Sequence, residues 1–236
     1  MIDAYILKTL DYKDTSKIIY FLTDEGIKSA IARGVKKMQS PLRHLMQAGM
    51  LVSLDLSKGD FPTVKDATMK TYFKAIKEDL VKTTILSVIN ELIYYNLTEH
   101  DDHHKLFAFV EKVLHALNTS DSPREILMVF ELKFLYYLGY GINFNHCAVC
   151  KTTDDLVFDV HQSMCLCETH KDLTHDTLNA RSFAPLKYYL HCDITQFESQ
   201  HLPPETLRYL DTVISSLYDT HLNARPKAKT ILKTIN

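Results

Sequence analysis

The sequence predicts an α+β fold, in which a small five-stranded β-barrel at the N-terminus is followed by an all-α domain. Residues 1 to about 72 are short apolar runs separated by polar turns, whereas apolar residues after that point recur every three or four positions, as in amphipathic helices. Four of the five cysteines cluster between residues 147 and 167. We therefore predict a barrel domain at 1–75 and a helical domain at 76–236, with a cysteine-rich insertion at about 144–172.

The composition limits the classes of protein to consider. With 236 residues, of which 46% are apolar, the chain can bury one or two cores. Its formal net charge is −2, so a site for nucleic acid must be a local basic patch. The sequence shows no secretory signal and no stretch approaching the ~20 apolar residues of a membrane span, so we expect a cytoplasmic protein. Five cysteines, an odd number, fit a disulfide framework poorly in that compartment.

Five apolar runs predict the five strands. The runs are rich in β-branched and aromatic residues, and turn sequences such as Thr23–Gly26 and Lys58–Asp60 separate them. They read AYILKT, KIIYFLT, IKSAIA, LMQAGMLVSLDL and TVKDATM. Five short strands in about 70 residues are typical of a small closed barrel of the oligonucleotide-binding (OB) fold, with an open SH3-like barrel as the alternative.

The helical part begins near residue 72. Helices are predicted at about 72–97, 104–117, 123–138, 183–191 and 204–222. The third helix has the clearest start signal, because Ser122 is placed as its N-cap, Pro123 takes the first helical position and Glu125 is spaced to complete a capping box. Residues 142 to about 175 should be strand-like or irregular.

The cysteine cluster has the spacing of a zinc site. Cys147 and Cys150 are separated by two residues, and Cys167 and His170 follow with the same spacing after sixteen intervening residues. Four protein ligands of this kind make a closed, structural zinc site of the zinc-knuckle type. Cys165 is an alternative ligand. Two other interpretations stay open, a set of reduced buried cysteines and a thioredoxin-like redox pair at Cys147 and Cys150.

A basic, acid-free stretch runs from Lys28 to Arg43, from the third predicted strand into the loop that follows it. Such a loop can direct cations at a phosphate backbone, although charge runs are often no more than solvated loops. The cations are Lys28, Arg33, Lys36, Lys37 and Arg43. Tyr12, Tyr20 and Phe21 are candidates for stacking on bases, and only one of the last two can face outward on a regular strand. A second basic group, Arg225, Lys227, Lys229 and Lys233, ends the chain as part of a DNA track or as a solvated tail.

Motifs for catalysis are missing from the sequence. Gly139 and Gly141 lack the third glycine of a dinucleotide fingerprint, and there is no phosphate-binding loop, HExxH zinc motif or GxSxG nucleophile elbow. We therefore predict a protein that is not an enzyme.

Several segments together resemble the RecO family of bacterial recombination mediators. The resemblance is carried by Asp11-Tyr12-x-Asp14-x-Ser16-Lys17-Ile18, by Thr23-x-Glu25-Gly26, by Ala32-Arg33-Gly34 with Lys36, Lys37 and Ser40, by Glu91-Leu92, by Phe130–Leu135, and by Leu138–Phe144 running into Cys147-x-x-Cys150. These segments follow one another in order along almost the whole chain.

The resemblance implies an OB-fold barrel, a helical domain and an inserted zinc module. It implies binding and annealing of single-stranded DNA, binding of double-stranded DNA, and help in loading RecA in a RecF-type repair pathway at the nucleoid. The implied protein partners are RecR and the C-terminal tail of single-stranded-DNA-binding protein. Lys17, Arg33, Lys36 and Lys37 match the family's basic barrel positions, with Lys28 and Arg43 as further DNA contacts.

The family's tail-binding surface lies near the third helix, where this chain offers Arg124, Phe130 and Lys133. The last position of the cysteine cluster departs from the family pattern, since it is His170 with Cys165 just upstream. Two other classes of function stay open. One is a structural adaptor whose barrel binds protein and not DNA, and the other is a zinc enzyme acting on nucleic acid.

Overall fold

Five antiparallel strands form the N-terminal sheet, as predicted. The computed structural model describes residues 1–97, 103–222 and 226–235. The strands are β1 (Ile2–Tyr12), β2 (Ser16–Thr23), β3 (Gly26–Ala32), β4 (Leu51–Leu56) and β5 (Val64–Thr71), in the spatial order β3-β2-β1-β4-β5. The predicted fourth run began at Leu45, and the strand itself begins six residues later because residues 45–50 form turns.

The sheet is not closed, so the prediction of a fully closed barrel is wrong in this respect. β3 and β5 are the edge strands, and they approach each other at an isolated parallel bridge between Ile31 and Thr63. There the Ile31 N–H donates to the Pro62 carbonyl at 2.9 Å. A strand ladder between the two edges would need a run of such bonds, which the polar turn before β5 does not provide.

Helices complete the first of two compact units, which consists of residues 1–119 and 226–236. They are α1 (Lys74–Glu78), α2 (Leu80–Asn96), α3 (His103–Thr119) and α7 (Lys227–Thr234). Asp79 caps α2 by accepting from the Lys82 N–H at 2.9 Å. Inside the unit, the Tyr5 hydroxyl of β1 donates to Asn90 of α2 at 2.5 Å, which ties the helix to the sheet.

The close approach of α2 to the sheet requires a glycine at position 49. Gly49 has φ +82°, and a Cβ added there would lie 2.4 Å from Cδ2 of Leu86, a buried residue of α2. We expect Gly49→Ala to lower the free energy of unfolding by about 1–3 kcal/mol more than Gly59→Ala, in a denaturant titration. Gly59 is the matched control, because it also has positive φ (+117°) but no atom within 4 Å of the added Cβ. If both variants lost the same free energy of unfolding, the loss would come from backbone strain at positive φ and not from the contact with Leu86.

The second compact unit spans residues 120–225. Its helices are α4 (Pro123–Tyr137), α5 (Ala180–His191) and α6 (Pro204–His221), and a short 3₁₀ turn covers Ile194–Gln196. Strands β6 (Leu156–Asp159), β7 (Met164–Cys167) and β8 (Thr177–Asn179) form a small sheet in the order β7-β6-β8. Phe144, Phe158 and Phe183 pack together beneath it. The domain boundary predicted between residues 75 and 76 stays a prediction, since these units follow packing and not chain order.

The start of α4 differs from the predicted capping box. Pro123 does occupy the first turn, but the Ser122 side chain makes no cap hydrogen bond. Glu125 is 2% exposed, and its carboxylate accepts from the hydroxyls of Tyr189 (2.7 Å) and Ser199 (2.5 Å) and from the Gln200 N–H (2.8 Å). The glutamate therefore holds a distant loop and not its own helix end.

Within the described residues, no helix is both long enough and apolar enough to cross a membrane.

Candidate nucleic-acid interface and metal centre

The loop between β3 and β4 is the most basic feature of the first unit. No acidic residue occurs from residue 26 to residue 54. The Lys36 N–H donates to the Thr15 carbonyl at 2.9 Å, which ties the loop to the turn between β1 and β2. Within the loop, the Ser40 N–H donates to the Lys37 carbonyl at 3.1 Å and closes a turn. The apolar side chains of Val35 and Met46 are buried and anchor it to the sheet. The loop is thus held in shape while its polar side chains face outward.

Three of the predicted DNA contacts line one groove beside this loop. Lys17, Lys36 and Arg43 surround a groove of about 370 Å³, together with Asp11 and Gln47. The Lys36 ammonium lies 2.8 Å from Asp11 Oδ2. This hydrogen bond holds the pKa of Asp11 below its usual range, and the charges of Lys36 and Lys17 add to the effect. The groove therefore carries three cations and one carboxylate.

The predicted DNA contacts also differ in whether an acidic side chain already pairs with them. Arg33, Lys37 and Arg43 are exposed, and none of the three has an acidic partner within 4 Å among the described residues. Lys28, in contrast, forms an ion pair with Glu25 on the turn between β2 and β3. The loop cations are thus available to an external anion, whereas Lys28 already has a partner.

The aromatic candidates separate as expected for a strand. Phe21 is fully buried in the sheet core, and Tyr20 is part-exposed on the other face with its ring 5.3 Å from that of Tyr94 in an edge contact. Tyr12 lies under the Lys13 ammonium, 5.3 Å from the ring centroid.

The C-terminal basic group is not a solvated tail. Its residues from 227 onward form α7, which packs against α2, and Lys229 is 8% exposed. The Ala228 N–H at the start of this helix donates to Glu91 at 3.3 Å. Arg225 lies outside the described residues.

The predicted partner-binding residues lie on α4 with little exposed surface. Phe130 is fully buried, and the Lys133 ammonium donates to the Leu190 carbonyl at the end of α5, at 2.7 Å. Burial lowers the pKa of Lys133. Arg124 is half-buried. A partner tail at this position stays a prediction, and it would have to act on the rim of the helix or displace existing contacts.

The predicted metal ligands converge in the second unit. The ligand atoms of Cys147, Cys150, Cys167 and His170 all lie within 4.8 Å of one another. Cys150 Sγ is 3.7 Å from Cys167 Sγ, and His170 Nδ1 is 3.7 Å from Cys147 Sγ and 3.2 Å from Cys167 Sγ. Zinc bonds of ~2.3 Å to sulfur and ~2.0–2.1 Å to nitrogen give tetrahedral edges of about 3.8 Å (S to S) and 3.5 Å (S to N). The four residues therefore fit a tetrahedral ion.

Two tight turns and the β6–β7 hairpin build this cluster. The Lys151 N–H donates to the Cys147 carbonyl at 3.1 Å, and the His170 N–H donates to the Cys167 carbonyl at 2.9 Å. Lys151 has φ +63°, a left-handed residue that closes the first turn. The Ala148 N–H donates to the Cys165 carbonyl at 2.8 Å and joins the two halves.

The electrostatics of the cluster favour ionisation of two of its three thiols. At Cys150 a hydrogen bond from the Thr152 backbone lowers the pKa, but burial and the thiols of Cys147 and Cys167 outweigh it and raise the pKa. Burial opposes ionisation of Cys147, but N–H groups of Cys150, Cys167 and Val149 outweigh it and lower its pKa to about 6. A hydrogen bond from Thr169, with help from His170, also lowers the pKa of Cys167. Metal ions are bound by thiolates, so these shifts suit metal binding.

The other cysteines are placed differently. Cys165 is fully buried and is not one of the four convergent residues, and burial raises the pKa of its thiol to about 12. Cys192 lies at the end of α5, far along the chain from the cluster, and burial raises its pKa as well. Cys165 is thus a core residue in this geometry.

One further feature of the first unit, a contact between a lysine and two tyrosines, was not predicted from the sequence. Lys8 of β1 lies over the rings of Tyr94 and Tyr95 of α2, at 4.6 and 5.7 Å from their centroids. In the sequence the adjacent tyrosines were no more than the end of an amphipathic helix. Only the tertiary structure brings Lys8 of the strand into contact with these two residues of the helix.

Comparisons with known proteins agree over the whole chain. The family model described as Recombination protein O N terminal matches residues 1–73, and the model described as Recombination protein O C terminal matches residues 77–230. Among curated proteins, the DNA repair protein RecO of Bacillus subtilis is 28% identical over 235 residues, covering 98% of this chain and 92% of that protein. The proteins of the same name from Bacillus cytotoxicus and Shouchella clausii are each 26% identical, covering 100% and 99% of this chain and 97% and 94% of their own lengths.

Proposed function

The chain belongs to the RecO family of DNA repair proteins, and from that premise we propose that its N-terminal sheet binds DNA through the β3–β4 loop and the adjoining groove. The protein acts without catalysis, as a recombination mediator that binds and anneals single-stranded DNA and, with RecR, assists RecA loading on DNA coated by single-stranded-DNA-binding protein. The strand order, with its single bridge between the edge strands, suits the partly open barrel of an OB fold.

One observation carries this proposal: in a chain of net charge −2, three exposed cations lie on an acid-free loop that borders a groove of about 370 Å³, and none of them has an acidic partner in the part of the chain that the structure describes. Binding to phosphates releases condensed counterions, and this gain needs cations that are not already paired. Arg33, Lys37 and Arg43 meet the condition. Holding two neutralised strands side by side also lowers their repulsion, which accounts for annealing without any bond being made or broken.

The test removes those three charges together. We expect Arg33→Ala with Lys37→Ala and Arg43→Ala to weaken binding of single-stranded DNA roughly ten- to hundredfold at low salt. Each lost phosphate contact removes about 0.7 from the slope of log K against log salt, so the slope should become shallower by about 2. Fluorescence anisotropy over a series of salt concentrations measures both quantities.

Asp11→Asn should have the opposite effect and strengthen binding of single-stranded DNA, because it takes a carboxylate out of the groove and frees Lys36.

A matched control is available in the second unit. Arg181, Lys187 and Arg208 are equally exposed, and their triple alanine variant changes the net charge by the same amount. If that variant lost as much affinity and slope as the loop variant, binding would be nonspecific and the proposed interface would be refuted. If neither variant changed DNA binding, the structural-adaptor interpretation would be favoured.

We also propose that the cysteine and histidine cluster holds a structural zinc ion. Its four ligands fill a tetrahedral shell and leave no position for a reacting water, which argues against a zinc enzyme. When bound, the ion supplies a cross-link, and Cys147, Cys150, Cys167 and His170 hold the β6–β7 hairpin against the preceding turn.

A further inference from the structure

A cleft lies between β1 and α2, next to the basic groove. Its volume is about 290 Å³, and it is lined mainly by Lys8 and Thr9 of the strand, by Ala48, and by Tyr94 and Tyr95 of the helix. Tyr95 is 55% exposed, and its ring meets that of Tyr94 at 5.1 Å in an edge contact. The cleft thus exposes aromatic surface beside a cation.

Three features of the fold build this cleft. The register of β1 against β2 shifts between Ile6 and Lys8, so Leu7 is an extra, inward-facing residue and Lys8 is redirected towards the helix. The hydrogen bond from Tyr5 to Asn90 fixes the distance of α2 from the strand. Gly49 permits the contact with Leu86, one turn before Asn90. The bulge at Leu7, the buried hydrogen bond and Gly49 together determine the shape of the cleft.

The cleft and the basic groove are lined by neighbouring residues of the chain. Gln47 lines the groove and the next residue, Ala48, lines the cleft. Along β1, Thr9 belongs to the cleft and Asp11 to the groove, about 7 Å apart at the usual rise of a strand. The two sites are therefore close enough for one single strand of DNA to reach both.

We propose that the cleft between β1 and α2 stacks bases of single-stranded DNA on Tyr94 and Tyr95 while the groove holds the adjoining phosphates. The inference rests on the proposed DNA-binding function and deepens it, because it assigns the bases and the backbone to different residues. A base-stacking surface of this kind tolerates any sequence, since every base has a flat face.

The charges at the cleft favour a nucleotide over other ligands. The Lys8 ammonium, 4.6 Å from the ring centroid of Tyr94 and 5.7 Å from that of Tyr95, would repel an organic cation from the cleft. The Lys8 ammonium has no carboxylate partner within 4 Å among the residues described, so it is available to a phosphate. The one carboxylate in the lining, Glu91, accepts from the Ala228 N–H and is thereby committed to the start of α7.

The experiment separates bases from backbone. Binding is measured for an oligo-dT strand and for a strand of equal length with abasic sugars, using wild-type protein and Tyr95→Leu. We expect the wild type to prefer the oligo-dT strand and Tyr95→Leu to bind it about 5- to 100-fold more weakly, with the abasic strand and the salt slope unchanged. Tyr95→Phe should restore the preference. Tyr209→Leu on α6, where the tyrosine is 51% exposed, should leave it intact.

Each other outcome is informative. A Tyr95→Leu protein that keeps the wild-type preference, also when Tyr94→Leu is added and the fold is intact by its unfolding transition, would refute the stacking site. Equal weakening on both strands would show that Tyr95 acts on the backbone or the fold, and this too would refute the site. Failure of the proposed function looks different, because the groove variants would then bind like the wild type and the wild-type affinity would not depend on salt.

Discussion

Replacing Cys150 with serine is expected to abolish zinc binding and to unfold the module around the β6–β7 hairpin. Cys150 is exposed, so the substitution should not disturb packing and its effect should come from the lost ligand. Apparent binding free energies of structural zinc are about 10–16 kcal/mol at pH 7, as large as the whole stability of many domains, which is about 5–15 kcal/mol. Metal analysis of purified protein should give one zinc ion per wild-type chain and close to none for Cys150→Ser, with a lower unfolding temperature.

Two other cysteines serve as controls for this experiment. Cys192→Ser should keep its zinc, because Cys192 is not among the convergent ligands. Cys165→Ala should also keep it, since Cys165 is a buried core residue. If Cys150→Ser retained zinc and Cys165→Ala lost it, Cys165 would be the true ligand and the assignment would be wrong.

Replacing Glu125 with alanine is expected to give the largest loss of stability among single changes outside the metal site. The change would leave the buried Tyr189 hydroxyl, the Ser199 hydroxyl and the Gln200 N–H without their acceptor and would open a cavity. Hydrogen bonds to a charged group contribute about 1.5–3 kcal/mol each and are not additive, so we expect a loss of about 3–5 kcal/mol. Urea denaturation followed by circular dichroism measures it.

Glu205 is the matched control, because it too lies in the first turn of a helix, α6, but is exposed. Its alanine variant should lose no more than about 1 kcal/mol, the size of a helix-dipole effect. Similar losses for Glu125→Ala and Glu205→Ala would mean that the buried network contributes little.

The convergence of Cys147, Cys150, Cys167 and His170 was the feature of the candidate sites easiest to predict from the sequence. Each two-residue gap between ligands forms a tight local turn, and the hairpin between the pairs is specified by nearby residues. Local patterns of this kind can be recognised in the sequence without knowing the rest of the fold. For the same reason, the five strands and the start of α4 at Pro123 were predicted correctly.

The cations that we propose as DNA contacts were chosen from the sequence, but the ion pairs that some of them form were not predicted. Sequence alone could not show that Lys28 pairs with Glu25 and Lys36 with Asp11, while Arg33 and Lys37 have no acidic partner within the described ranges. The partner of Lys36 lies on another strand, and its distance depends on the register of the sheet. Pairing of exposed charges is decided by such distances.

By itself, the sequence predicted the five N-terminal strands, the helices up to α6, the acid-free loop and the four cysteine and histidine residues that converge, because each depends on residues close together in the chain. The tertiary structure decided the open edge of the sheet, the docking of α7 on α2, the buried role of Glu125 and the meeting of Lys8 with Tyr94. These features join residues tens of positions apart, and they depend on distances that are fixed only when the strands and helices pack together. No local pattern encodes those distances.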